Sequence, residues 1–159
     1  MKINLKGKSA LVTGSSEGIG FYIAKSLYDN GCNVVINGRS TTKLNLAKNK
    51  LRGSLALKAD LTNLNETKKL INKFKQNYNK LDILVCNVGS GKSNIKVPDI
   101  NEWHRLFNQN FWTTVNIINC AQKLLIKSKS SIICISSICG LEHVTGAPTP
   151  YSVAKSALN

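Results

Sequence analysis

Acidic residues are scarce in this chain: 8 Asp and Glu stand against 22 Lys and Arg over 159 residues, a formal net charge of +14. Such a balance raises nucleic acid, a membrane surface or an anionic ligand as partners. The distribution favours a solvated basic surface instead. The lysines are scattered, as at Lys43, Lys48, Lys50, Lys68, Lys69, Lys73 and Lys75, with no run of five like charges and no basic-aromatic stripe. No nucleic-acid partner is expected, although a positive field helps to gather a phosphate-bearing ligand. Also missing is any apolar stretch of about 18 residues, the length that crosses a bilayer. The first eight residues, MKINLKGK, have neither the hydrophobic segment nor the small-residue cleavage site of a signal peptide. A cytoplasmic protein without a membrane partner is expected. The 5 cysteines are an odd number and form no Cys-x-x-Cys pair, so neither a disulfide framework nor a metal site is supported. Internal repeats and low-complexity linkers are absent as well. With 42% hydrophobic residues, the expectation is one domain over residues 1–159.

What is present begins at residues 9–20. The apolar run Ala10, Leu11, Val12 suits one buried strand, and it breaks into a turn carrying Gly14, Gly18 and Gly20 before a helical pattern starts. Glycine there allows positive φ and close approach of a pyrophosphate, while the helix offers free N–H groups. Ile23, Ala24 and Leu27 continue the helix, and Asn30-Gly31 stops it. Residues 32–36 read as a β-branched strand, Asn37 to Ser40 as a turn, and Thr41 or Thr42 as the cap of a helix through Leu51. A third strand spans 54–58, with Asp60 just beyond it. Asn63 caps an amphipathic helix to about Tyr78, and 81–86 is a fourth strand, apolar on both faces. Residues 87–98 read as a loop, 102–127 as a helix and 131–135 as a fifth strand ending at Ser136 and Ser137. A loop with Pro148 and Pro150 then leads to a helix opening at Tyr151. Strand and helix alternate throughout. That rhythm predicts an α/β fold, a parallel sheet with helices on both faces and right-handed crossovers.

In such a sheet ligands bind beyond the carboxyl ends of the strands. Gly14, Gly38-Arg39, Asp60, Asn87-Val88-Gly89 and Ser136-Ser137 stand at those ends, so one crevice would collect them. Taken singly, Asp60 and Asn87 are ordinary turn formers. Tyr151 and Lys155 lie one helical turn apart on one face. An ammonium beside the phenol at a helix N-terminus stabilises the phenolate, which would let tyrosine exchange protons near neutral pH.

The ordered set Thr13-Gly14-x-x-x-Gly18-x-Gly20, Asp60, Asn87-x-Gly89, Asn110, Ser137 and Tyr151-x-x-x-Lys155 resembles the short-chain dehydrogenase/reductase family, classical subgroup, from about Leu5 onward. The resemblance implies a Rossmann-type doubly wound sheet and an NAD(P)-dependent oxidoreductase interconverting a carbonyl and a secondary alcohol. It implies that Gly14, Ser16, Gly18, Ile19 and Gly20 hold the cofactor's phosphates and ribose, Asp60 and Leu61 its adenine, and Asn87 and Gly89 the nicotinamide-side ribose. Lys155 would bind that ribose too, Tyr151 would be the general acid/base, Ser137 would hold the substrate oxygen, and Asn110 would position a water in the proton relay. The partner is then a small carbonyl or alcohol, and the full-length protein is expected to be a homodimer or homotetramer.

Four departures qualify this. Val88 replaces the small residue usual between Asn87 and Gly89. The Ser137 to Tyr151 spacing is slightly long, leaving Ser136 as an alternative hydroxyl. Gly38 stands where members preferring NAD carry an acid, and Arg39 can pair with a 2′-phosphate, although Glu17 pulls the other way. NADP(H) is expected over NAD(H). Finally, members continue with the rest of the Tyr151 helix, further strands and a substrate loop, so the chain is expected to lack the C-terminal strands and to fall short of a competent reductase alone. A catalytically impaired dinucleotide-binding module is the alternative reading.

Overall fold

A computed structural model describes residues 3–93 and 97–159. Five strands form one sheet: β1 (Ser9–Val12), β2 (Asn33–Gly38), β3 (Leu55–Lys58), β4 (Ile83–Cys86) and β5 (Ser131–Cys134). The helices are α1 (Gly18–Asp29), α2 (Thr41–Lys50), α3 (Leu64–Asn77), α4 (Ile100–Phe107), α5 (Thr113–Ser128) and α6 (Thr149–Leu158). The strand order is β3-β2-β1-β4-β5 and every pairing is parallel. The chain moves outward from β1 through β2 to β3, then returns to the other side of β1. That reversal opens a crevice beyond the carboxyl ends of β1 and β4.

The central strands are apolar on both faces because both faces are covered. Every residue of β1 is buried. Leu11 packs with Val35, Leu84, Phe74 of α3 and Ile117 of α5 in one core layer. Ala10 and Val12 turn the other way, toward Val34, Ile36, Ala24 of α1 and Leu44 of α2. This is the doubly wound parallel sheet that the sequence predicts. At the sheet's edge β5 is exposed along its length, with Ile132 and Ile133 both partly open to solvent. Among the described residues no helix is long and apolar enough to cross a membrane.

Several boundaries differ from expectation for physical reasons. β2 runs on through Asn37 and Gly38, which pair with Leu57 and Lys58 rather than turning the chain. Asn37 is buried, and its amide donates to the carbonyls of Leu57 (3.1 Å) and Ala59 (3.2 Å), so β3 satisfies a residue that looks like a turn former. α2 is capped by Ser40, whose hydroxyl accepts from the Lys43 N–H, not by Thr41 or Thr42. Asn63 caps α3 as expected, accepting from the Asn65 and Glu66 N–H groups. The single helix expected over 102–127 is α4 and α5 joined through a π turn, Asn108–Trp112. Residues 94–96 of the loop expected over 87–98 lie outside the described residues.

Candidate active site

At the end of β1, Thr13 ties two strands together. Its Oγ1 donates to the Val85 carbonyl (3.1 Å) and accepts from the Asn87 N–H (2.9 Å). Gly14 follows with φ +59°, and a Cβ there would stand 3.2 Å from both Asn87 Nδ2 and Val88 Cγ2. Backbone conformation and crowding both call for glycine. The Asn87 amide in turn donates to the carbonyls of Thr13 (3.1 Å) and Gly14 (3.0 Å), fixing the turn's shape. A Cβ on Gly20 would come within 2.5 Å of the Gly14 carbonyl oxygen, so this glycine lets α1 start directly beneath the turn. Glu17 occupies the N-cap position of α1 without a side-chain cap hydrogen bond. The first N–H groups of α1 are thereby left for an anionic ligand.

Above the turn lies an open cleft of about 550 Å³. Gly14, Ser16, Gly18, Ile19, Asn87, Gly89, Tyr151 and Lys155 all line it. Gly38, Arg39, Asp60 and Leu61 also contribute, so nearly all the positions singled out from the sequence share one cleft. Gly20, Asn110 and Ser137 are not part of its lining. Leu61 is almost fully buried and supplies an apolar backing. Asp60 accepts from the Thr62 N–H (3.0 Å) and hydroxyl (2.8 Å), and the Arg39 guanidinium reaches to 3.8 Å from its carboxylate. Gly38 is closely covered: a Cβ there would meet Ser16 Oγ at 2.9 Å.

Lys155 is only 3% exposed, its Nζ donates to the Ile135 carbonyl at 2.7 Å, and it lies 5.9 Å from the Tyr151 ring centroid. Burial pushes the lysine pKa below its usual value, and the nearby Cys134 acts in the opposite sense. The loop after β4 closes over the pair. A Cβ on Gly89 would lie 2.8 Å from Asn110 Oδ1 and 3.1 Å from Lys155 Nζ, and one on Gly91 would touch the Tyr151 ring at 3.4 Å. Asn110, buried in the π turn, grips this loop: Oδ1 accepts from the Ser90 N–H (2.9 Å), and Nδ2 donates to the carbonyls of Ser90 (3.0 Å) and Leu106 (2.8 Å). Its influence on the cleft therefore runs through Ser90. Ser136 faces the cleft and donates to the Lys155 carbonyl (3.3 Å). Ser137 caps the following 3-10 turn (Ile138–Gly140), its oxygen accepting from the Cys139 N–H at 3.3 Å, which leaves its own proton to donate.

Asn37, Lys43 and Gly140 also shape the site and were not singled out from the sequence, and Thr13, named there within the glycine motif, was given no role of its own. Thr13 and Asn37 lock the strand ends, Lys43 lines the cleft opposite Glu17, and Gly140 packs against the backbone of α6 at Lys155.

The cleft fits a dinucleotide. It takes in both an uncapped helix N-terminus and a buried lysine, and close packing excludes a Cβ at several points along its wall. Comparison with known proteins agrees. An uncharacterized oxidoreductase of Staphylococcus saprophyticus is 34% identical over 164 residues, covering 99% of this chain and 70% of the relative. A dehydrogenase/reductase SDR family protein 7-like from Dictyostelium discoideum is 32% identical over 166 residues, covering 96% of this chain and 52% of that one. Among solved structures, a short-chain dehydrogenase/reductase of unknown function from Caenorhabditis elegans, determined with cofactor, superposes with TM-score 0.91 at 26% identity, covering 97% of this chain and 61% of its own. Pseudomonas aeruginosa RhlG, in an NADP active-site complex, gives 0.87 at 27% identity, covering 99% and 65%. The chain thus spans between about half and seven tenths of the lengths of these proteins. The family model described as short chain dehydrogenase matches residues 8–159, and the chain belongs to that family of oxidoreductases.

Proposed function

We propose that the protein interconverts a carbonyl and a secondary alcohol using NADP(H) in preference to NAD(H). The observation that carries this reading is the convergence of the glycine turn, Tyr151 and Lys155 on one cleft. The bound nicotinamide would supply or accept a hydride. Tyr151, half-buried under the loop at Gly91, exchanges the proton on the substrate oxygen. Lys155, anchored to Ile135, places a cation beside that phenol and reaches the nicotinamide-side ribose. The Ser137 hydroxyl, next along the chain from cleft-lining Ser136 and with its proton left to donate, would hold and orient the substrate oxygen. Gly14, Ser16, Gly18 and Ile19 hold the pyrophosphate side against the start of α1, with Gly20 setting the turn from behind, while Asp60 and Leu61 hold the adenine. Asn87 and Gly89 shape the ribose-side wall. Preference for the 2′-phosphate rests on Gly38, which places no repelling carboxylate at that position, and on the adjacent guanidinium of Arg39.

The experiment is direct. Tyr151→Phe should retain nucleotide binding and abolish carbonyl reduction across a panel of ketones and aldehydes. Wild-type turnover by the variant would refute the assignment, and nucleotide binding without reduction by the unsubstituted protein would favour an impaired binding module. Arg39→Ala should weaken NADPH and spare NADH; equal losses would remove the role given to Arg39.

A further inference from the structure

Glu17 and Lys43 come from different elements, the N-cap of α1 and the first turn of α2, yet they meet across the cleft in an ion pair of 2.6 Å. Both side chains are more than half exposed. A pair so open to solvent contributes little to stability, so it is easily exchanged. Glu17 also forgoes the capping bond that its position invites. Its carboxylate is drawn sideways toward Lys43, in the cleft that Ser16, Gly38 and Arg39 also line. Gly38 has no side chain to compete there, and Arg39 is held only loosely by Asp60, at 3.8 Å.

Building on the NADP(H) reading above, we propose that Lys43 is a specificity-determining residue that leaves Glu17 to bind the 2′-phosphate, with Glu17 acting as a built-in competitor for the ammonium. A phosphate carries nearly twice the charge of a carboxylate and offers three acceptor oxygens, so it displaces Glu17 from a solvated ammonium. The flexible stem of lysine allows the transfer without movement of the backbone. A nucleotide lacking the 2′-phosphate gives Lys43 nothing in exchange, and the pair stays closed. The acid at Glu17 thus ceases to count against NADP(H): it is neutralised before the ligand arrives and displaced only by the ligand that Lys43 prefers.

The test measures dissociation constants of NADPH and NADH by nucleotide fluorescence for the purified protein and for Lys43→Gln, Lys43→Arg and Glu17→Gln, with thermal unfolding to confirm folding. Lys43→Gln should weaken NADPH by about tenfold, the effect of one charge-assisted contact, and leave NADH nearly unchanged. Lys43→Arg should restore most of the loss. Glu17→Gln should tighten NADPH and not NADH, because the competitor is gone. Equal weakening of both nucleotides by Lys43→Gln would overturn the proposal, as would an unchanged NADPH affinity. An unsubstituted protein without preference for NADPH would instead overturn the cofactor reading on which this inference rests, so the two failures are distinguishable.

Discussion

Replacing Gly140 by alanine isolates one backbone contact on which the Tyr151 and Lys155 arrangement depends. The added Cβ would stand 2.7 Å from the Lys155 carbonyl carbon, 2.8 Å from its oxygen and 2.9 Å from the Ser156 nitrogen. All three are backbone atoms of α6, so no rotamer change relieves the clash. Comfortable separations are about 3.5–4.0 Å, and α6 must therefore retreat by roughly 1 Å at Lys155. Overpacking of this kind costs about 1–3 kcal/mol. For a domain of this size each kcal/mol lowers Tm by about 2–4 °C, so a fall of roughly 5 °C is expected. Alanine is favoured over glycine in a helical turn by about 0.5–1 kcal/mol, which makes any loss attributable to the contact and not to propensity. The same displacement stretches the 2.7 Å bond from Lys155 to Ile135 and shifts Tyr151 on the cleft wall. The assay is thermal unfolding together with NADPH affinity. Gly53→Ala serves as a control: its φ is +89° with nothing within 4 Å, so it should lose stability and leave nucleotide binding alone. A Gly140→Ala protein with unaltered Tm and affinity would show that the close approach to α6 does not constrain the site.

Two further outcomes follow from named bonds. Asp82, just before β4, accepts from the Ser9 N–H (2.9 Å) and the Lys8 ammonium (3.1 Å). Burial alone would raise its pKa, but the Ser9 and Lys8 contacts outweigh it and hold the carboxyl below its usual range. The lowered folded value means that its stabilisation is complete above the unfolded pKa of about 3.9 and is lost as pH falls through the folded one. Asp82→Asn should cost about 1–3 kcal/mol at neutral pH and flatten acid unfolding below about pH 4; an unchanged acid transition in urea titrations would refute it. Asn110→Ala removes both bonds to the Ser90 backbone and one to the Leu106 carbonyl, so it should destabilise by about 1–3 kcal/mol and abolish exchange protection at the Ser90 amide. Undiminished protection there would contradict the clamp.

Much of the layout was readable because it is local. The apolar β1 run, the glycines at 14, 18 and 20, the Asn63 cap and the one-turn spacing of Tyr151 and Lys155 each depend on neighbours in sequence. Most of what escaped depends on partners far away along the chain. Asn37 sits in a core strand because the carbonyls of Leu57 and Ala59 receive its amide, and nothing in its own neighbourhood announces them. Ser40, Thr41 and Thr42 stand in a row and all are capping types, and the cap falls on Ser40, the stronger type. Lys43 looked like one lysine among many until α1 and α2 brought it to Glu17. Gly140 matters through a contact with α6 that no spacing rule reveals. The π turn was hidden because apolar periodicity over 102–127 averages across one widened turn.

That widened turn bears on how this gene can diverge. Removing a single codon between Phe107 and Thr113 would regularise the helix, which favours its hydrogen bonding locally. It would also swing one flank relative to the other by about 100°, the rotation of a single helical residue. The Asn110 amide would then be carried away from Ser90. Segment length should accordingly be more restrained by selection than the identity of exposed residues such as Trp112, and changes in length here should mark copies whose loop after β4 has been released to another use.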